Sequence, residues 1–447
     1  MNIPVTPPDV AKLLRGLDTE RMQKVFLSNI GMAPGGKYRH WDTFRHLEVE
    51  DGLSVEERWL AVKMARMQSY QLLPLKDRRG QSFKYTLPSP ALEMLHMVDR
   101  DASGTIQAGE PVVNPVSRDT YLIKSLVEEA ISSSQLEGAS TTRQVAKELI
   151  KTGREPRDRS ERMILNNYNA MLFVRQVLDE EVTPKIVLEL QRLLTANTLD
   201  EPDAVGRLRK RDEEIHVSDE LGNVLHIPPA AGELDQRLKL MCEFANARAN
   251  ASFIHPVVRA IALHFWLAYD HPFVDGNGRT ARALFYWSMA RQGYWLCEYI
   301  SISRILKRAR GKYTRAFLYS ETDDNDLTYF LLHQLGVVIR AIGDLHEYLA
   351  KKTSELRETE LLLGSASRLR LNYRQLALLT HALKYSHAEY SVESHRRSHN
   401  VSYETARSDL LDLAEHGVLR QSKRGRAFNF SPAENLRATL RQLARKR

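Results

Sequence analysis

Cysteine is scarce in this sequence: Cys242 and Cys297 are the only two among 447 residues. Two thiols in apolar, helix-patterned surroundings cannot build a disulfide framework or a cysteine zinc site, so both are expected as buried, inert side chains. No run of 18 apolar residues occurs, and no charged, apolar, small-residue leader opens the chain, so a cytoplasmic protein without a membrane span is expected. Internal repeats and low-complexity tracts are missing as well. What remains is an ordinary globular composition, 43% hydrophobic and 27% charged, long enough for two or three domains.

The net charge of +8 is concentrated at one end, since residues 395 to 447 hold 12 Lys/Arg against 5 Asp/Glu. A basic end of this kind points to an acidic partner, with nucleic acid first; the plainer reading is a solvated surface. Apolar residues at three-to-four spacing predict helices over 55–68, 120–134, 143–152, 158–178, 184–197, 232–246, 257–269, 280–291 and 328–357, a mainly α chain. One interruption is Glu214–Val217 and Val224–Ile227 around a Gly-Asn turn, which predicts a β-hairpin ended by Pro228 and Pro229. Further on, Asn372 and Gln375 suit a capping box, with helices expected to Lys384, over 392–399, and over 402–416 to a Gly417 cap. Two strands around a basic glycine turn follow at 418–430, and three helices then a hairpin is the order of a winged helix. The expected organisation is an N-terminal accessory region 1–95, a catalytic domain 96–350, a linker or connecting helix 351–370, and a winged-helix domain 371–447.

The densest chemistry lies between His271 and Arg282, His-Pro-Phe-Val-Asp-Gly-Asn-Gly-Arg-Thr-Ala-Arg. Gly276 and Gly278 at a helix entrance let backbone N–H groups approach an anion, and the helix dipole adds to the attraction. Arg279 and Arg282, three apart, share a helix face from which guanidiniums can grip a polyphosphate. Asp275 offers a hard oxygen for Mg²⁺, Asn277 an amide donor for phosphoryl charge, and His271 an imidazole able to take a hydroxyl proton. Each piece alone is more often structural; a His-Pro, a Gly-Asn-Gly turn and two surface arginines are common. Within twelve residues the functional reading prevails.

The segment resembles the signature of the Fic family, His-x-Phe-x-(Asp/Glu)-Gly-Asn-Gly-Arg-x-x-Arg, at His271, Phe273, Asp275, Gly276, Asn277, Gly278, Arg279 and Arg282. The resemblance implies a helical Fic core, ATP as donor with Mg²⁺ on Asp275, His271 as base, and transfer of AMP to a Ser, Thr or Tyr hydroxyl with loss of pyrophosphate. It also implies that hairpin 214–227 is a flap on which a target protein docks, with self-modification and a homodimer as further associations. Ser133-Ser-Gln-Leu-Glu137-Gly138 resembles the family's inhibitory motif, in which Glu137 would pair with Arg282; the plain alternative is a helix-end Glu before a glycine cap. Tyr313 and Phe330 are candidate adenine contacts, and Arg407, Lys423, Arg424 and Arg426 candidate DNA contacts. Two other readings stand beside AMP transfer: removal of AMP, alone or as a second activity, and a DNA-binding regulator whose core senses nucleotide.

Overall fold

The computed structural model describes residues 2–48, 52–103, 115–247, 253–366, 371–399, 401–424 and 427–445. They fall into two compact units, Met1–Leu345 and His346–Arg447. Helices dominate, with small antiparallel sheets: β1 (Gln71–Lys76) with β2 (Ser82–Tyr85), β3 (Val217–Ser218) with β4 (Val224–His226), and a three-stranded sheet in the second unit.

Two helices form the centre of the first unit, Pro256–Asp270 and Asn277–Arg291, and both are buried on nearly every face. Their sequences explain this, because apolar side chains go all the way round rather than along one stripe. Around them pack Pro115–Leu136, Arg159–Gln176 and Pro184–Thr195, so the loop between the two central helices lies amid five helices. Phe265, Trp266, Phe273, Leu284, Phe285 and Trp287 belong to the continuous core beneath that loop. Cys242 and Cys297 are buried in it, and burial pushes both thiols up to about 12.

The region expected to be an N-terminal accessory, 1–95, is built into this unit. Leu73, Leu75, Phe83, Tyr85, Ala91 and Leu95 join the main core, and a buried ion pair, Lys63 to Asp323 at 2.7 Å, fastens the helix Val55–Met67 to the segment after Arg310–Thr322. Such a pair is neutral at best in net stability but specifies how the pieces meet.

The stretch expected as a linker, 351–370, is helical through Ala366 as part of Thr328–Ala366, and residues 367–370 lie outside the described ones. In the second unit Asn372 and Gln375 form a capping box on Tyr373–Lys384, followed by β5 (Tyr390–Ser391), Val392–His399 and Tyr403–Glu415. Gly417, at φ +71°, turns the chain into β6 (Leu419–Arg424), and β7 (Ala427–Pro432) pairs with both β6 and β5. A final helix, Leu436–Arg445, adds Leu436 and Leu440 to this unit's own core; the sequence reading had not anticipated it.

Candidate active site

His271 ends the helix Pro256–Asp270 in a left-handed conformation, φ 43° and ψ 57°. A non-glycine residue there costs on the order of 1 kcal/mol, a strain typical of residues placed for chemistry. Its Nδ1 lies 3.3 Å from the Ala268 carbonyl oxygen. A carbonyl only accepts, so the proton belongs on Nδ1 and Nε2 is left bare, the state a general base requires. Burial drives the imidazole down to about 4, and the nearby His226 and Arg209 add to that, outweighing the upward pull of the Ala268 hydrogen bond and Glu137. His271 is therefore uncharged at neutral pH.

The loop after it is held by its own side chains. Asn277 Oδ1 accepts from the Phe273 N–H at 3.0 Å and its Nδ2 donates to the Phe273 carbonyl at 2.8 Å. This brace shapes the loop and uses Asn277 Oδ1 and one of the two Nδ2 hydrogens. Phe273 beneath it is fully buried. Gly276 sits at φ +87°, where a Cβ would come 2.8 Å from Thr195 Cγ2, so glycine is required on both counts. The helix Asn277–Arg291 starts there without a side-chain cap, and its first-turn N–H groups have no helical carbonyl to meet.

The two arginines divide their work. Arg279, 1% exposed, donates to the Leu194 carbonyl at 2.8 Å and to Asp275 Oδ2 at 3.1 Å. It anchors the loop to the helix Pro184–Thr195 and corrects the expectation that both guanidiniums grip phosphate. Arg282 faces the end of the helix Pro115–Leu136, with Nε on Ser133 Oγ at 3.0 Å, and Nη2 on the Ser133 carbonyl at 3.1 Å and on Glu137 Oε1 at 2.8 Å. Burial raises the Glu137 carboxyl, but Arg282 and then Arg279 and His271 more than offset this and hold it below its ordinary range. Asp275, its side chain 38% exposed, accepts from the Gly276 N–H at 2.5 Å as well as from Arg279.

Glu137 reaches this position because the helix Pro115–Leu136 ends in a tight turn. Gly138, at φ +95°, lets Ala139 N–H return to the Ser134 carbonyl at 3.0 Å, a Schellman-type closure that presents Glu137 on the outer lip. Gly278 receives it: a Cβ there would run into Glu137 Oε1 and stand 3.0 Å from Arg282 Nη1. The carboxylate thus lies over the first turn of Asn277–Arg291.

Several participants carry no motif signal. Glu129, two turns before Glu137 and 2% exposed, accepts from Tyr286 at 2.8 Å, Ser301 at 2.7 Å, the Ser303 N–H at 3.2 Å and the Ser303 hydroxyl, pinning the body of the helix Pro115–Leu136. Gln191 donates to the Asp275 carbonyl at 3.1 Å and accepts from the Gly206 N–H at 2.6 Å. His226, on β4, lies between the Tyr269 carbonyl and Glu321 Oε2, each at 2.7 Å. Both partners are acceptors, which favours the doubly protonated ring; burial alone would lower it, yet Glu321 takes it above its usual value.

The two candidate adenine contacts separate. Phe330 is fully buried, 4.5 Å from Phe317 between ring centroids, and is a core residue rather than a ligand contact. Tyr313 is half-buried, its hydroxyl 2.8 Å from His264 Nε2. The hairpin is shorter than expected, with β3 and β4 around an Asp219-centred turn that leaves Leu221, Val224 and Ile227 exposed. An open cleft of about 610 Å³ runs beside it, lined by Ile215, Val224, Ile227 and Pro228 among others. Of the candidate DNA contacts, Arg407 and Lys423 are exposed; the Arg424 side chain and Arg426 lie outside the described residues.

Among the described residues no helix is long and apolar enough to cross a membrane, and no group of three or more His, Cys, Asp or Glu is gathered as a metal site. Residues 181–289 match the model of the Fic/DOC family. A protein adenylyltransferase Fic of Nematostella vectensis is 27% identical over 212 residues, 45% of each chain. One from Drosophila sechellia is 28% identical over 202 residues, 44% of this chain and 37% of the fly protein, so the chain spans less than half the length of these relatives. The crystal structure of a Fic family protein from Desulfovibrio desulfuricans G20 superposes with a TM-score of 0.52 at 18% identity, over 78% of this chain and 98% of the other. The loop from His271 to Arg282 lies inside the stretch 181–289 that matches the Fic/DOC family model.

Proposed function

We propose that the chain is a protein adenylyltransferase that moves AMP from ATP to a Ser, Thr or Tyr hydroxyl of a target protein or of itself, releases pyrophosphate, and is restrained by Glu137. The observation that carries this is Glu137 held 2.8 Å from Arg282 over the first turn of Asn277–Arg291. A carboxylate seated on an arginine and a helix N-terminus occupies a place suited to phosphate. His271 Nε2 takes the proton of the attacking hydroxyl, first-turn N–H groups offset charge on the phosphoryl oxygens, and Arg282, once free of Glu137, holds the polyphosphate. Asp275 is suited to Mg²⁺: its carboxylate is partly exposed, and each oxygen accepts one hydrogen bond and keeps a lone pair. When bound with the nucleotide, the ion would neutralise phosphate charge, and one carboxylate plus substrate phosphates is a usual way of holding it. A cytoplasmic setting fits the use of ATP.

The assay is incubation of the purified chain with Mg²⁺ and ATP labelled on the α-phosphate, followed by intact mass. Glu137→Gly gains AMP well above the unaltered chain and His271→Ala gains none. Equal labelling of the first two removes the restraint; labelling that survives His271→Ala removes the base.

The second unit supports a separate reading. Three helices, a hairpin and the β5-β7-β6 order suit a winged helix, and exposed Arg407 and Lys423 suit DNA. A gel-shift series in rising salt tests it, since binding through phosphates weakens steeply with salt.

A further inference from the structure

Three backbone carbonyls around the base, those of Tyr269, His271 and Pro272, are all held by groups from the hairpin and its flanks. His226 takes the first at 2.7 Å. Arg209 takes the other two, its Nε donating to the His271 carbonyl at 2.9 Å and its backbone N–H to the Pro272 carbonyl at 2.9 Å. The Arg209 Nη2 also donates to the Pro229 carbonyl, so this one guanidinium joins the two feet of the hairpin to each other and to the base. Arg209 is buried, 7% exposed, and no carboxylate lies within ion-pair distance of it among the described residues. Burial lowers the Arg209 guanidinium, and the more distant Asp270 and Glu213 carboxylates offset this only in part, so the site is costly for a cation and stability by itself does not call for it.

We infer that Arg209 is a positioning residue: it fixes the His271 backbone in its left-handed conformation and ties the hairpin to the base as one rigid piece. The inference rests on the reading of His271 as the base. Imidazole orientation then depends on the hairpin's feet being closed, so a target segment seated on the hairpin stiffens the same clasp that aims Nε2. Because the phosphate side of the loop is held separately, by Arg279, Asn277 and Gln191, loss of Arg209 should spare nucleotide binding.

The test uses the full chain in the Glu137→Gly background, with Arg209→Met and Arg209→Lys, and measures initial self-labelling across ATP concentration together with the melting temperature. Arg209→Met should lower the rate at saturating ATP by about 100-fold, the order expected for a base displaced by about 1 Å. Half-saturating ATP should stay within about twofold and Arg209→Lys should regain part of the rate. An unchanged rate, or a rate that falls only in step with weaker ATP binding and a lower melting temperature, overturns the inference. The His271 ring signal, assigned by its loss in His271→Ala and followed by ¹H–¹³C NMR, is a second readout: it should move and broaden in Arg209→Met, and an unmoved signal overturns the inference. If Glu137→Gly alone shows no labelling, the transferase reading fails, while the ring signal still decides the role of Arg209.

Discussion

On the proposed restraint, Glu137 and a nucleotide phosphate compete for Arg282, and the geometry sets how strongly. Removing one partner from a fully buried hydrogen-bonded ion pair costs about 3–5 kcal/mol, whereas an exposed pair is worth about 0–1 kcal/mol. Arg282 belongs to the first class, its side chain 2% exposed, but the Glu137 side chain is 31% exposed, and solvent on that side screens the pair. An intermediate worth of about 1.5–2 kcal/mol follows, which at about 1.4 kcal/mol per tenfold is a ten- to thirtyfold effect on ATP affinity. Calorimetry with ATP and Mg²⁺ in a His271→Ala background, where no transfer occurs, should show Glu137→Gly binding ATP tighter by that factor. Glu137→Gln, which keeps an acceptor for Arg282 but loses the charge, should fall between. Lowering pH should not mimic these substitutions above the ordinary carboxylate range: the folded carboxyl lies below its usual value, so the pairing is complete above that value and is lost only as pH falls through the lowered one. Equal ATP affinity in all three proteins would refute the competition, because Arg282 would then be open to phosphate with Glu137 in place.

Removal of AMP is a second expectation for the same carboxylate: protein labelled in advance should lose its label when Glu137 is present and keep it in Glu137→Gly, as a chase with unlabelled buffer would show. Gly276→Ala combines a positive φ with a 2.8 Å approach to Thr195 Cγ2, so it should lower stability by about 1–3 kcal/mol and abolish labelling, measured by denaturant melts and mass. His40, His271 and His333 are pushed down to about 4 and His264 to about 3, by burial first in every case. Unfolded, they take protons near 6.5, so their contribution is complete above that pH and is lost as pH falls toward 4, by up to about 1.4 kcal/mol per pH unit for each. Melting temperature should therefore drop across that window, and a flat profile would count against four neutral histidines. On the winged-helix reading of the second unit, Lys423→Ala should weaken DNA binding with little change in preferred sequence and flatten its salt dependence, whereas Arg407→Ala, in the third helix, should also relax the preferred sequence.

What the sequence disclosed and what it hid follow from the range of the interactions involved. The motif from His271 to Arg282 is local: a helix end, two glycines and a helix start lie within one turn of each other, so spacing alone places them together. The helices were legible for the same reason, and the Asn372–Gln375 capping box is a four-residue pattern. Side-chain direction was not. Arg279 and Arg282 have the same type and share a face, but one turns back to Leu194 and the other outward to Ser133 and Glu137, a choice made by which neighbouring helix offers a carbonyl and which a carboxylate. The brace that Asn277 makes across the loop to both backbone groups of Phe273 is visible only in the fold. Arg209 and Glu129 sit in no spacing pattern, since their partners are 20 or more residues away in the chain. Yet these two hold the parts that have to act together. Glu129 fixes the body of the helix Pro115–Leu136 with four hydrogen bonds, whereas its last turn is held by Ser133 and Glu137 at Arg282, by the Ser134 hydroxyl on the Met163 carbonyl at 3.1 Å and by Lys307 on Gln135 at 2.5 Å, and ends at Gly138. On the proposed restraint, freeing Arg282 requires Ser133 and Glu137 to let go, a smaller change than undocking the whole helix. Glu129→Gln should then loosen the whole helix and raise self-labelling in the otherwise unaltered chain. In Glu137→Gly it should add nothing, since the tip is already released there, and a further gain in that background would place Glu129 in some role other than anchoring the inhibitor.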